Sequence, residues 1–227
     1  MHLIRKRIIL NLREAIIRGE YAPGAHLVES ELCARFKASR TPVREALAQL
    51  EKEGFVRITP ASGARVVELS PVDVSQIYDM LIVLEGAASR LACSRINDEQ
   101  IGQLEEQTFL FEKALQDHNA EFLFELNNRF HWLITSETGN RYLMDMRSNF
   151  RALVDRISRL FPLIPEQMEA TITDHHQIIS ALKARNPAMA EFVMRAHLEN
   201  AKKHMLAYLR NREAGTLSDV RGASGRV

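Results

Sequence analysis

The sequence predicts a mainly α-helical chain in two parts, an N-terminal winged helix-turn-helix domain and a C-terminal antiparallel bundle of about six helices. Three observations lead there. Apolar residues recur at helical spacing through most of the chain. The clearest alternating stretch, residues 55–67, is short and is broken by Pro60-Ala61-Ser62-Gly63. Residues 70–213 hold only three glycines (Gly86, Gly102, Gly139) and four prolines (Pro71, Pro162, Pro165, Pro187), too few turn formers for a sheet domain of that length.

Taken in order, Ile8, Ile9, Leu12, Ile16 and Ile17 keep a helical period that Gly19 and Pro23-Gly24 end. A short second helix fits Glu29–Phe36, with Leu32 and Phe36 on one side, and Lys37-Ala38-Ser39 makes a tight connection to a third. There Thr41 can cap the helix start, Pro42 suits a first turn that needs no donor, and Gly54 can close the far end in the left-handed conformation. Val43, Ala46, Leu47 and Leu50 form its buried stripe. Residues 55–59 and 64–67 read as two strands around a turn, completing a winged helix over residues 1–69. The bundle spans 70–213, with helices expected near 71–94, 98–116, 119–138, 140–161, 165–185 and 187–212. Residues 214–227, rich in Gly, Ser and Arg, read as a flexible tail.

Composition narrows the function. Of 227 residues, 46% are hydrophobic and 26% charged, enough for a sizeable core and without the mark of disorder. No apolar run approaches the ~20 residues that span a bilayer, and the first residues lack an apolar signal core, so a soluble cytoplasmic protein is expected. Cys33 and Cys93 have no CxxC spacing and sit in helical patterns as buried thiols, which argues against a disulfide framework or a thiolate metal site. The net charge of +1 hides a division. Residues 1–69 carry 12 Lys/Arg against 8 Asp/Glu, whereas residues 70–213 carry 16 against 20. Only His2 and His26 precede residue 70; His118, His131, His175, His176, His197 and His204 follow it. The basic part and the histidine-rich part have separate chemistry.

The basic part contains Ser39-Arg40-Thr41-Pro42-Val43-Arg44-Glu45-Ala46-Leu47. Arg40 just before a helix start and Arg44 one turn inside can both project into a major groove, where an Arg donates two hydrogen bonds to guanine O6 and N7. Thr41 and nearby backbone N–H groups can hold a phosphate at the same end. On spacing alone, a capped surface helix with solvated arginines fits equally well. Residues 12–67 resemble the DNA-binding domain of the GntR family of bacterial transcription regulators. The likeness is carried by Leu12-Arg13-Glu14-Ala15-Ile16-Ile17-Arg18-Gly19, Pro23-Gly24, Glu31-Leu32, Arg40 to Leu47, Leu50 and Gly54. It implies base or phosphate contacts from Arg40, Thr41 and Arg44, with Gly63 at the wing tip. Two positions depart from the common pattern. Ser30 stands where a basic residue often touches phosphate, and Ser62 where Arg is frequent, so Arg35 and Arg65 are candidates to make up those contacts.

In the second part, Asn127 and His131 lie four apart on one helix face, and His175 and His197 fall on two further helices. Three imidazoles and an amide oxygen are ligand types that Zn, Ni, Mn or Fe(II) accept, although any one of the histidines, taken singly, is more often a surface residue or a hydrogen-bonded core histidine than a ligand. Residues 71–212 resemble the all-helical FCD effector domain of the FadR-type branch of the GntR family. An Asp or Asn, a His four residues later and two further His commonly hold a divalent metal there. That pattern implies Asn127, His131, His175 and His197 as ligands. His176 points about 100° away from His175, and His204 lies roughly 10 Å beyond His197 along the helix, so neither is a ligand. The resemblance further implies a small carboxylic acid as effector, often held by an Arg three residues before the Leu of a Leu-Glu pair. Here the pair is Leu84-Glu85 and that position is Leu81, leaving Arg151, Arg156 and Arg129 as candidate substitutes.

The sequence therefore predicts a ligand-responsive, sequence-specific DNA-binding regulator rather than an enzyme, a homodimer on a pseudo-palindromic operator. The rival from another class is a metal-dependent hydrolase or isomerase using the three-His site. It lacks a recognisable general base and leaves the Arg40 to Arg44 segment unused.

Overall fold

The computed structural model describes residues 2–59, 63–160 and 164–213. By their contacts they divide into two units, residues 1–70 with Arg151–Leu160, and residues 71–150 with the remainder. The expected tail, 214–227, lies outside the described residues, as does Ser62.

The first unit opens with α1 (His2–Ile17), then β1 (His26–Leu27), α2 (Glu29–Phe36), α3 (Arg40–Lys52), β2 (Val56–Thr59) and β3 (Gly63–Val66). Ile8 and Leu12 of α1, Leu32 of α2 and Val43, Leu47 and Leu50 of α3 bury almost completely in one core with Phe55, Val56 and Val66. α2 ends at Lys37, which takes the left-handed conformation at φ 50. Two expectations need correction. α3 starts two residues earlier than the Thr41 cap implies. Ser39 is the extended residue before the helix, and its side chain makes no capping bond, so Arg40, Thr41 and Pro42 all lie in the first turn. A third strand, β1, pairs with β3, giving the order β1-β3-β2; at two residues it is too short to leave a periodic signal. Gly54 does close α3 at φ +76, and the Phe55 N–H reaches back to the Leu50 carbonyl at 2.9 Å.

The six expected bundle helices follow: α4 (Pro71–Ala92), α5 (Asp98–Gln116), α6 (Ala120–Ser136), α7 (Arg141–Leu160), α8 (Pro165–Lys183) and α9 (Pro187–Glu213); the second unit holds all of them except residues Arg151–Leu160 of α7, which group with the first. Local chemistry sets their starts. Asn97 and Gln100 exchange side-chain bonds with each other's backbone N–H at 2.9 and 2.8 Å, and Asn119 accepts from the Phe122 N–H. α4 and α9 run antiparallel, with Asp79 against Lys202 and Arg90 against Glu191. α5 and α8 do likewise through Glu105 with Lys183 and Glu112 with His176. The interior faces of α4, α6, α8 and α9 thereby meet. None of the described helices is long and apolar enough to cross a membrane.

Candidate functional site

On α3 the buried stripe is Pro42, Val43, Ala46, Leu47 and Leu50, which turns Arg40, Thr41 and Arg44 outward together. Arg40 makes no hydrogen bond or ion pair among the described residues. Arg44 does: its Nε donates to both carboxylate oxygens of Glu29, each at 2.9 Å. Sequence reasoning missed that partner, since nothing in the spacing of residues 29 and 44 marks them as neighbours. Arg35 is held inside its own domain, with one amino group on Glu20 and the other on the Tyr21 hydroxyl, both at 2.9 Å. Arg65 gives a hydrogen bond to the Gly24 carbonyl at 3.2 Å. Gly63 begins β3 at φ +74, and a Cβ built there would come within 2.8 Å of His26 Nε2. Only glycine meets both demands.

Three of the four predicted ligands converge in the bundle. His131 of α6, His175 of α8 and His197 of α9 are each at most 5% exposed, and one nitrogen from each lies within 4.8 Å of the others. Asn127, one turn before His131, has its Oδ1 buried and without a partner, as have both ring nitrogens of His175. Such orphans are rare in a packed interior, because an unmade hydrogen bond keeps its full desolvation cost. His175 stacks on Phe130 with ring centres 3.8 Å apart, which fixes the ring plane without using a nitrogen. His176 is exposed and pairs with Glu112, and His204 is exposed, as expected of non-ligands. Cys93 is buried and free, while Cys33 is only half-buried.

Behind the imidazoles stands a set of residues that the sequence did not assign. Glu85 of α4 is hydrogen-bonded through one oxygen to His131 Nδ1 and accepts from Arg147 Nε at 3.1 Å through the other. Asp174 takes His197 Nδ1 at 3.1 Å. Burial acts to raise the Glu85 carboxyl, but the His131 imidazole and the Arg147 guanidinium outweigh it and bring it down to about 2, so it is ionised. Burial lowers the His131 pKa against the pull of Glu85, and lowers that of His175 well below the usual value with help from His197 and His131. A neutral His131 then donates its Nδ1–H to Glu85 and directs the Nε2 lone pair inward, the arrangement by which carboxylates orient metal-binding histidines. Donor set, orphaned atoms and anchoring all fit a divalent transition metal.

Leu81 is buried, as an apolar residue should be. Arg129 is exposed and tied to Glu125. The side chains of Arg151 and Arg156 lie outside the described residues. Among the described residues a buried arginine is Arg147 of α7, 5% exposed and joined to Glu85, one turn along α4 from Leu81. The case against the rival enzymatic reading rested on the lack of a carboxylate placed as general base near the histidines. Two are present, Glu85 and Asp174, but each is engaged with a histidine Nδ1, and Glu85 with Arg147 as well.

A winged helix-turn-helix carrying two outward arginines, followed by a separate helical domain with a buried polar centre, defines a DNA-binding transcription regulator. The chain belongs to the GntR family, in the branch that carries an FCD domain: residues 4–66 match "Bacterial regulatory proteins, gntR family" and residues 76–200 match "FCD domain". It is 32% identical over 196 residues to the HTH-type transcriptional repressor RspR of Escherichia coli, covering 86% of each chain. It is 33% identical to the Nta operon transcriptional regulator of Aminobacter aminovorans, covering 84% of this chain and 89% of that one. Among solved structures, E. coli McbR/YncC superposes with a TM-score of 0.76 at 20% identity over 90% of this chain and 98% of the other, a likeness of fold. The two sequence relatives are named as a transcriptional repressor and a transcriptional regulator.

Proposed function

We propose that this regulator reads a pseudo-palindromic operator as a homodimer and is controlled by a small carboxylic acid bound beside a divalent metal held by Asn127, His131, His175 and His197. The observation that carries this is the buried three-histidine cluster, with two of its Nδ1 atoms held by Glu85 and Asp174 and both nitrogens of the third ring left without a hydrogen-bond partner. Zn is the first candidate, with Ni, Mn or Fe as alternatives. A bound divalent ion would offer its remaining coordination positions to a carboxylate. DNA contacts come from Arg40, Thr41 and Arg44, with the wing approaching through Gly63. Arg65 supports the wing from β3. Arg35, held by Glu20 and Tyr21, contributes only on release from them.

Arg147 takes the part of the absent arginine at position 81. It brings a cation from α7 to the same stretch of α4, through Glu85. Native mass spectrometry of the purified chain, with and without chelator, tests the reading. Expected are a dimer, one divalent ion per protomer lost on chelation, and an acid that co-purifies only with the metal-loaded form. Full retention of operator response after chelation refutes metal control.

A further inference from the structure

We infer that Glu29 is the positioning residue for the Arg44 base contact and sets how strongly the protein discriminates its operator from other DNA. The inference rests on the reading of Arg44 as a base-reading residue and adds the group that aims it. Arg44 is an exposed side chain, 62% accessible, at the outward end of the reading helix, and Glu29 opens the neighbouring helix α2 at 35%. The geometry of the pair is informative. A guanidinium and a carboxylate that pair for their own sake meet as fork to fork, through two parallel N–H groups. Here one donor, Nε–H, is shared by both carboxylate oxygens at 2.9 Å each. No hydrogen bond to Glu29 from the two terminal amino groups appears. Those amino groups are the ones that can reach guanine O6 and N7 end-on.

Stability does not explain the arrangement. An ion pair this exposed contributes little, and it restrains a long side chain that would otherwise move freely. The restraint becomes useful on binding, because a side chain already aimed loses less freedom when it meets its base. The neighbouring Arg40 makes no such contact among the described residues, so of two outward arginines on one helix end, one is tethered and the other is not.

The carboxylate has a second consequence. Glu29 places a negative charge where the phosphate backbone comes near, on a surface where Ser30 supplies no compensating cation. Non-specific binding consists almost wholly of phosphate attraction and is penalised by that charge. In the specific complex the same charge is offset by the Arg44 contact it supports. An unfavourable element that weighs more on the wrong complex than on the right one raises specificity at the expense of overall affinity.

The test uses the full-length chain. The duplex that the wild type enriches from a random library serves as operator, and a scrambled duplex of equal composition as the competitor. Dissociation constants are measured over a range of salt concentrations. Glu29→Ala should lower the ratio of specific to scrambled affinity about tenfold, mostly through tighter binding to the scrambled duplex, with unfolding temperature unchanged. Glu29→Gln, which can still accept from Nε–H but carries no charge, should recover part of the ratio while keeping the raised scrambled affinity. Arg44→Ala should lose the ratio by itself, and adding Glu29→Ala to it should change the ratio no further. If Arg44→Ala keeps the wild-type ratio, or the wild type enriches no sequence, the base-reading role falls and this inference with it. If Arg44→Ala loses the ratio but both Glu29 variants keep it, only the inference is overturned. Equal weakening on both duplexes with a lower unfolding temperature makes Glu29 a packing residue and also overturns it.

Discussion

Glu85→Gln is the substitution that strains the helical site most. Glu85, His131 and Arg147 are each at most 5% exposed, and the two oxygens of the carboxylate serve one neighbour apiece. Glutamine has the same shape but one acceptor oxygen and one NH2 group, so either His131 or Arg147 is left facing a donor. The Arg147 charge also remains buried without its counter-charge. Removing one partner of a buried pair typically costs about 3–5 kcal/mol. Because glutamine retains one of the two bonds, the lower end, about 3 kcal/mol, is expected, which lowers the Tm of a domain of this size by about 6–12 °C. The His131 ring loses its anchor at the same time, and loss of such an outer partner weakens metal binding about 10–100-fold. A double variant separates the two effects. Glu85→Leu with Arg147→Leu leaves no buried charge, so it should be more stable than Glu85→Leu alone, yet its metal affinity should stay low because leucine cannot accept from Nδ1–H. Calorimetric unfolding and metal competition against a chromophoric chelator read the two quantities. An unchanged Tm for Glu85→Gln would refute the buried-pair argument. A lowered Tm with metal affinity within about twofold of wild type would reduce Glu85 to a structural residue.

Further outcomes follow from single positions. His175→Ala should abolish metal retention, read by elemental analysis after dialysis, while far-ultraviolet dichroism stays helical. Asn127→Asp should hold the metal more tightly through dialysis and bind acidic effectors more weakly in calorimetric titration, since it places a permanent negative charge at a ligand position. Gly63→Val should destabilise the wing by about 1–3 kcal/mol, because valine resists φ +74 and its Cβ meets the His26 ring; faster amide exchange confined to β1, β2 and β3 is the readout. Moving the arginine back to α4, with Leu81→Arg and Arg147→Leu together, should keep the affinity for a carboxylic acid that Arg147→Leu alone loses.

Much of this architecture was legible because helices announce themselves by local spacing. The six bundle helices start and stop within about two residues of the expected positions, and α2 over its full expected span, because Asn97, Asn119, Pro165 and Pro187 act on the backbone beside them. Strand β1 was not legible, since its two residues gain their identity only from pairing with Ala64 and Arg65 of β3. The same divide runs through the site. Asn127 with His131 is a local pair, visible as an i, i+4 spacing, and three histidines on three helices invite the thought of a common centre. Glu85, Arg147 and Asp174 were invisible as a set, because the contacts that give them a role span 46, 62 and 23 residues. Arg147 is the clearest case: in the sequence it is one arginine among several on α7, and its burial against Glu85 is a property of the fold.

Those three residues also change the electrostatics that the ligand set alone would imply. Four neutral ligands around a divalent ion leave its whole charge uncompensated in a low-dielectric interior, which would favour any anion strongly. With Glu85 and Asp174 directly behind two of the imidazoles, most of that charge is already met at one remove. Arg147 returns part of it, because its guanidinium takes up the Glu85 charge. Among the described residues the formal sum, with a divalent ion bound, is then one positive charge rather than two. A centre so balanced favours a monoanion over a dianion, and its preference is adjustable at Arg147 without touching a ligand. Arg147→Leu should therefore shift affinity from singly charged acids toward neutral compounds that share their shape, while metal content stays at the wild-type level. Calorimetric titration of a carboxylic acid beside its amide reads the shift. An unchanged preference would mean that the charge at Arg147 is spent wholly on Glu85 and never reaches the effector.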